Sequence, residues 1–130
     1  MIFLDSNFII DFLKGKKSAV SLIKKNNEEL ATSQINVFEV LFGIFMKKET
    51  NRKELDLAEA FFQSIIIFPF DSNCGNLSAK ILSSLMKEGK TIEQNDCFIG
   101  AIMIKNRIDK IISNNVKHFS KINGVKIITY

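Results

Sequence analysis

The chain opens on a continuously apolar run, Met1-Ile2-Phe3-Leu4, that ends abruptly in Asp5, Ser6 and Asn7. An apolar segment of strand length, without alternation, suits a strand covered on both faces, so Asp5 stands where that strand leaves the sheet. The period then changes: Phe8, Ile9, Phe12 and Leu13 fall at helical spacing before Gly15, and Val20, Leu22 and Ile23 mark a second short helix over 18–26. The pattern next predicts a brief strand at 31–34, a strongly apolar helix over 36–48, and a helix over 53–63 opened by Asn51 and Glu54 at capping-box spacing. Ile65-Ile66-Ile67-Phe68 predicts another buried strand, halted near Pro69 because proline lacks the ladder donor. Leu77, Ile81, Leu82 and Leu85 line one side of a helix that Asp71 or Ser72 caps and Gly89 terminates. Asn95 caps a helix over 96–106, a strand follows at 110–113, and Asn123-Gly124 turns the chain into a last strand at 125–129, placed at a sheet edge.

Strands alternating with helices predict an α/β fold: a central parallel sheet, helices on both faces, and right-handed crossovers. No repeat, low-complexity tract or linker interrupts the pattern, so the 130 residues are read as a single domain. In such sheets ligands bind outside the carboxyl ends of the strands. Asp5 lies there, and the question is which other acids return to it.

Two do so on this reading. The helix over 36–48 is apolar nearly all round, so it is expected to be buried, yet it carries Glu39 with only Asn36 and Gly43 as non-apolar neighbours along that stripe. Asp96 opens the equally apolar run Cys97-Phe98-Ile99-Gly100-Ala101-Ile102. Each acid has an ordinary role when taken singly. Glu39 reaches solvent along its stripe, Asp96 complements the positive end of a helix dipole, and Asp5 caps the turn into Phe8. Taken together, carboxylates converging on one sheet edge make an oxygen-ligand site for Mg²⁺ or Mn²⁺, an ion that activates water and neutralises charge on a phosphate. Spacing alone leaves that convergence open.

Composition narrows the class without choosing it. With 46% hydrophobic and 25% charged residues the chain is ordinary globular material. No apolar run approaches the roughly 20 residues of a membrane span, and Asp5 and Asp11 interrupt the N-terminus too early for a signal peptide, so a cytoplasmic protein is expected. A net charge of +4 permits an anionic partner without demanding one, and the clusters around Lys14, Lys16 and Lys17 also suit a solvated helix end. Cys74 and Cys97 share no metal spacing and read as reduced, partly buried thiols.

Leu4-Asp5-Ser6-Asn7 resembles the opening motif of PIN-domain ribonucleases, and Asn36-Val37-Phe38-Glu39-Val40-Leu41-Phe42-Gly43 is similar to their second motif. Gly89-Lys90-Thr91-Ile92, followed by Asp96-Cys97-Phe98-Ile99-Gly100-Ala101, resembles the third. Ile112-Ser113-Asn114-Asn115-Val116-Lys117-His118-Phe119 is similar to the last motif of the VapC-type toxins within that family. The resemblance spans essentially the whole chain. It implies an α/β/α sandwich and a Mg²⁺-dependent endoribonuclease, with Mn²⁺ as the other candidate ion, that hydrolyses RNA with a metal-activated water.

Asp5, Glu39 and Asp96 match the family's three acids. Asn115 stands where a fourth acid is usual, which removes a charge and implies one firmly bound ion. Ser6 matches a Ser or Thr near the metal, and Ser113 takes the place of a threonine. His118, the only histidine, is read as packing the turn beside Phe119 in preference to moving a proton, and Glu93 as solvent-exposed at the rim. Lys14, Lys16 and Lys17 are assigned to phosphates flanking the cut. The resemblance further implies an antitoxin partner and a homodimer. Two rivals remain. One is a non-catalytic RNA- or protein-binding member of the same fold, suggested by Asn115. The other is a phosphoryl-transfer domain with Asp5 as nucleophile, against which stands the lack of a phosphate-cradling glycine loop.

Overall fold

Side chains alternate across the first strand: Ile2 and Leu4 enter one buried cluster and Phe3 the other. The computed structural model describes residues 1–130, with strands β1 (Ile2–Leu4), β2 (Leu30–Ser33), β3 (Ile66–Phe68), β4 (Lys110–Ile112) and β5 (Lys126–Ile128). All pair in parallel, in the order β3-β2-β1-β4-β5. Around the sheet lie α1 (Ser6–Leu13), α2 (Lys17–Lys25), α3 (Gln34–Phe45), α4 (Arg52–Gln63), α5 (Cys74–Lys87), α6 (Gln94–Lys105) and α7 (Val116–Phe119).

The two clusters define the layers. Ile2 and Leu4 pack with Phe8, Val40, Leu55 and Phe62 of α1, α3 and α4. Phe3 packs with Leu85, Ile99, Ile102 and Phe119 of α5, α6 and α7. This is the expected three-layer α/β/α sandwich. Thr32, fully buried, donates its hydroxyl to the Leu4 carbonyl at 2.8 Å and pins β2 to β1 just below the carboxyl edge. Because the chain runs outward from β1 to β3 and then crosses back to β4, β1 and β4 form the topological switch point.

Several expectations need correction. The helix predicted over 36–48 spans Gln34–Phe45, taking Gln34 from the predicted strand, and it is not buried all round. Only Asn36, Val40 and Ile44 are buried, while Phe38, Phe42 and Phe45 are more than half exposed. Its inner face is a single i, i+4 stripe, and the rest of the helix has nothing packed over it. The strand predicted as buried at 65–68 is an edge strand, Ile66–Phe68, with Ile66 exposed. Neither Asp71 nor Ser72 caps α5. Its cap is Asn73 in a left-handed conformation (φ 74°), while Asp71 pairs with Lys105 instead.

Asn95 does not cap α6 either, since the helix starts one turn edge earlier at Gln94 behind Glu93. Only half of the capping box forms: Asn51 accepts from the Glu54 N–H, but the Glu54 carboxylate binds Lys47. The last strand is parallel to β4, so Asn123-Gly124 makes no hairpin, and the short helix α7 precedes it. Gly89 does end α5, with φ 70°. Both thiols are free, as expected, though fully buried.

Gly100 shows how tightly α6 is seated. A Cβ built there would lie 2.5 Å from Cδ1 of Ile122, itself only 3% exposed. Gly100→Ala is expected to cost about 1–3 kcal/mol. Adding Ile122→Val removes that atom and should recover part of the loss in thermal melting. No recovery in the double variant would show that the close approach is not what requires glycine here.

Candidate active site

Each strand that reaches the switch point hands a polar residue to its carboxyl edge. Asp5 follows β1, Ser33 ends β2, and Ser113 follows β4. Asp5 is 5% exposed and caps α1. Its Oδ1 accepts from the Ser6 N–H at 2.8 Å and its Oδ2 from the Ser113 hydroxyl at 2.6 Å. The Ser113 oxygen in turn accepts from the Asn115 N–H at 2.9 Å, which ties the loop after β4 to Asp5.

Glu39 is half-buried and held from α1 and α6. The Ser6 hydroxyl donates to its Oε1 at 2.7 Å, and Asn95 Nδ2 approaches its Oε2 at 3.4 Å. Behind Ser6 stands a buried polar chain: Asn36 Nδ2 donates to Ser6 Oγ at 2.9 Å, and the Ser33 hydroxyl donates to Asn36 Oδ1 at 2.6 Å. Asp96 occupies the first turn of α6, 7% exposed. Its Oδ2 accepts from Asn115 Nδ2 at 2.8 Å and lies 2.5 Å from His118 Nδ1.

Burial pushes the Asp5 carboxyl up to about 6 from an ordinary 3.8, against the lowering effect of its bonds from Ser113 and Ser6, with the charges of Asp96 and Glu39 adding to the rise. The three carboxylates therefore feel one another. No lysine or arginine forms an ion pair with any of them. A set of carboxylate oxygens beside an amide, crowded and without a cationic side chain, fits a hard divalent cation on its own donor chemistry.

The structure brings Asp5, Ser6, Glu39, Asp96, Ser113, Asn115 and His118 to one edge. His118 corrects its reading: instead of merely packing a turn, it contacts Asp96. Asn95 and Ser33 were not anticipated, because only the tertiary arrangement brings them to Glu39 and Asn36. Glu93 is exposed, as expected, and its carboxylate also lies near Asp96 and His118. Lys14, Lys16 and Lys17 are exposed at the far end of α1 and contact none of the acids. Lys16 is also engaged, donating to Asp11 at 3.0 Å with its ammonium 5.0 Å from the centre of the Tyr130 ring.

A parallel α/β sheet with acids at its switch point defines a carboxylate-site α/β domain, and the sequence matches the PIN domain over residues 2–125. The chain belongs to the PIN-domain family. It is 26% identical over 122 residues to ribonuclease VapC19 of Mycobacterium tuberculosis, covering 92% of each chain. It is 28% identical over 130 residues to a ribonuclease VapC of Rickettsia bellii, covering 98% of this chain and 95% of that one. Among solved structures, VapBC2 from Rickettsia felis bound to a DNA fragment from its promoter shares the fold, with a TM-score of 0.87 over 100% of this chain and 99% of that chain at 22% identity. FitAcB from Neisseria gonorrhoeae aligns at a TM-score of 0.82 and 26% identity over 98% of this chain and 96% of that one. No helix is long and apolar enough to cross a membrane.

Proposed function

We propose that this chain is a metal-dependent endoribonuclease, the toxin of a toxin–antitoxin pair, folded as a single domain and working in the cytoplasm. The observation that carries this reading is the gathering of Asp5, Glu39 and Asp96 at the switch point with no cationic side chain among them. Membership of the PIN family and likeness to proteins named as VapC ribonucleases support it. Asp5, Glu39 and Asp96 would hold Mg²⁺, with Mn²⁺ as the other candidate. An ion of that kind supplies a nucleophilic water at neutral pH and offsets the charge developing on a phosphodiester.

The chain's own groups set the geometry. Ser113 and the Ser6 N–H fix the Asp5 carboxylate, the Ser6 hydroxyl fixes Glu39, and Asn115 with His118 fixes Asp96. Exposed Lys14 and Lys17 are suited to phosphates flanking the cut, a contact that weakens with salt. Lys16 contributes less because Asp11 competes for it. The unpacked faces of α3 and α4, with Phe38, Phe42, Phe45, Met46 and Leu57 exposed, support a protein partner, an antitoxin or a second copy of the chain.

Asn115 favours one further reading, a binding module that has lost catalysis, because its amide donates to Asp96 where an acid would add charge. Asp96→Asn in antitoxin-free protein separates the two. Cleavage should fall roughly 100-fold or more, on the scale of losing one preorganised electrostatic contact. Unchanged cleavage by the folded variant would remove Asp96 from the machinery. Asn115→Asp adds a carboxylate beside Asp96, and calorimetric titration with Mn²⁺ should then report a second binding event. The same single event as in the parent chain would show that Asn115 does not set the ion count.

A further inference from the structure

Glu93, Asp96 and His118 place two carboxylate oxygens and an imidazole nitrogen within 4.8 Å of one another. Glu93 stands at the N-cap of α6, Asp96 in its first turn, and His118 on α7. His118 Nδ1 lies 2.5 Å from Asp96 Oδ2, and Asn115 Nδ2 sits 2.8 Å from that oxygen and 3.2 Å from that nitrogen. An amide nitrogen only donates. With one Asn115 hydrogen on Oδ2 and the other on Nδ1, the imidazole presents a lone pair, and two acceptors then face each other across 2.5 Å. That arrangement calls for a cation between them.

We propose that Glu93, Asp96 and His118 form a mixed nitrogen and oxygen site that takes a divalent transition ion and prefers Mn²⁺ to Mg²⁺. Mg²⁺ is bound through oxygen and gives up its waters reluctantly, whereas an imidazole nitrogen suits transition ions. Ligands on one such ion, each about 2.1 Å from it, stand no more than about 4.2 Å apart. Closing from 4.8 Å asks only a small swing of the exposed Glu93 side chain. The neutral imidazole with its hydrogen on Nε2 offers Nδ1 to the ion. Asp96 uses only Oδ2 in these contacts. The proposal deepens the metal-dependent reading, with which it shares Asp96, and it adds Glu93 and His118 as ligands.

The test is Mn²⁺ binding to chelator-treated full-length protein, followed by electron paramagnetic resonance, with pulsed detection of nitrogen-14 coupling. The parent chain should bind Mn²⁺ about tenfold or more tightly than Mg²⁺ and show imidazole nitrogen modulation. His118→Asn should lose the modulation and about tenfold or more in affinity. Glu93→Gln, at an exposed position where the fold is not at stake, should keep the modulation and bind several-fold more weakly. A Mn²⁺ complex of the parent chain without nitrogen modulation, or equal affinity in His118→Asn, overturns the proposal. If Asp5→Asn meanwhile abolishes metal-dependent cleavage, the nuclease reading survives that failure. Nitrogen-ligated Mn²⁺ beside cleavage indifferent to chelator would instead sink the nuclease reading and leave this site standing.

Discussion

Asp5→Asn is expected to abolish metal-dependent RNA cleavage while raising the melting temperature of the metal-free chain at pH 7.5. The two effects share a cause. Burial of Asp5, with Asp96 and Glu39 close by, lifts its carboxyl from 3.8 to about 6, so the folded chain holds that proton more tightly than the unfolded chain does. The stability this contributes is fully present below pH 3.8 and is lost as pH rises through about 6. At pH 7.5 the ionised group therefore costs the fold, at most about 3 kcal/mol from the size of the shift. Asparagine keeps the shape and removes the charge. Allowing for a poorer bond from the Ser113 hydroxyl, a gain of about 1–2 kcal/mol and several degrees is expected. Cleavage should fall by roughly 10²–10³-fold or more. Melting in chelator at pH 3.5 and 7.5 checks the cause, because the advantage should vanish at the lower pH. An equal gain at both would show that charge is not responsible.

Asn36→Ala should be among the most damaging changes away from the acids. Asn36 is fully buried and joins Ser33 to Ser6, whose hydroxyl holds Glu39. Truncation leaves two buried serine hydroxyls short of a partner and opens a small void, for about 2–4 kcal/mol. It also frees Glu39 to leave its oriented position. Melting should drop by roughly 10 °C, and cleavage measured well below the new midpoint should remain reduced. Full activity at such a temperature would mean that the buried chain serves stability alone.

The parts of this molecule written into short stretches were readable before the fold was known. An unbroken apolar run ending in Asp5 could only be a strand covered on both faces, and β1 is the middle strand of the sheet. Gly89 announced a helix end because its left-handed φ is open to glycine. What depended on neighbours far along the chain was not readable. The apolar helix that carries Glu39 looked buried, but burial requires something to cover it, and nothing does along Phe38 and Phe42. Ile66 looked like core and lies on an edge strand for the same reason. His118 was assigned to local packing because its partner, Asp96, sits on another helix. Asp71 was a plausible cap until Lys105 claimed it.

Incubation of antitoxin-free protein with a mixed pool of structured RNAs, in Mg²⁺, in Mn²⁺ and in chelator, tests the central claim most directly. Attack by water gives products without a 2′,3′-cyclic phosphate, whereas attack by the RNA's own 2′-hydroxyl leaves one. The account predicts cutting that requires metal, stops in chelator and yields no cyclic phosphate. Cutting undiminished in chelator, or no cutting with either metal by folded protein, would contradict it.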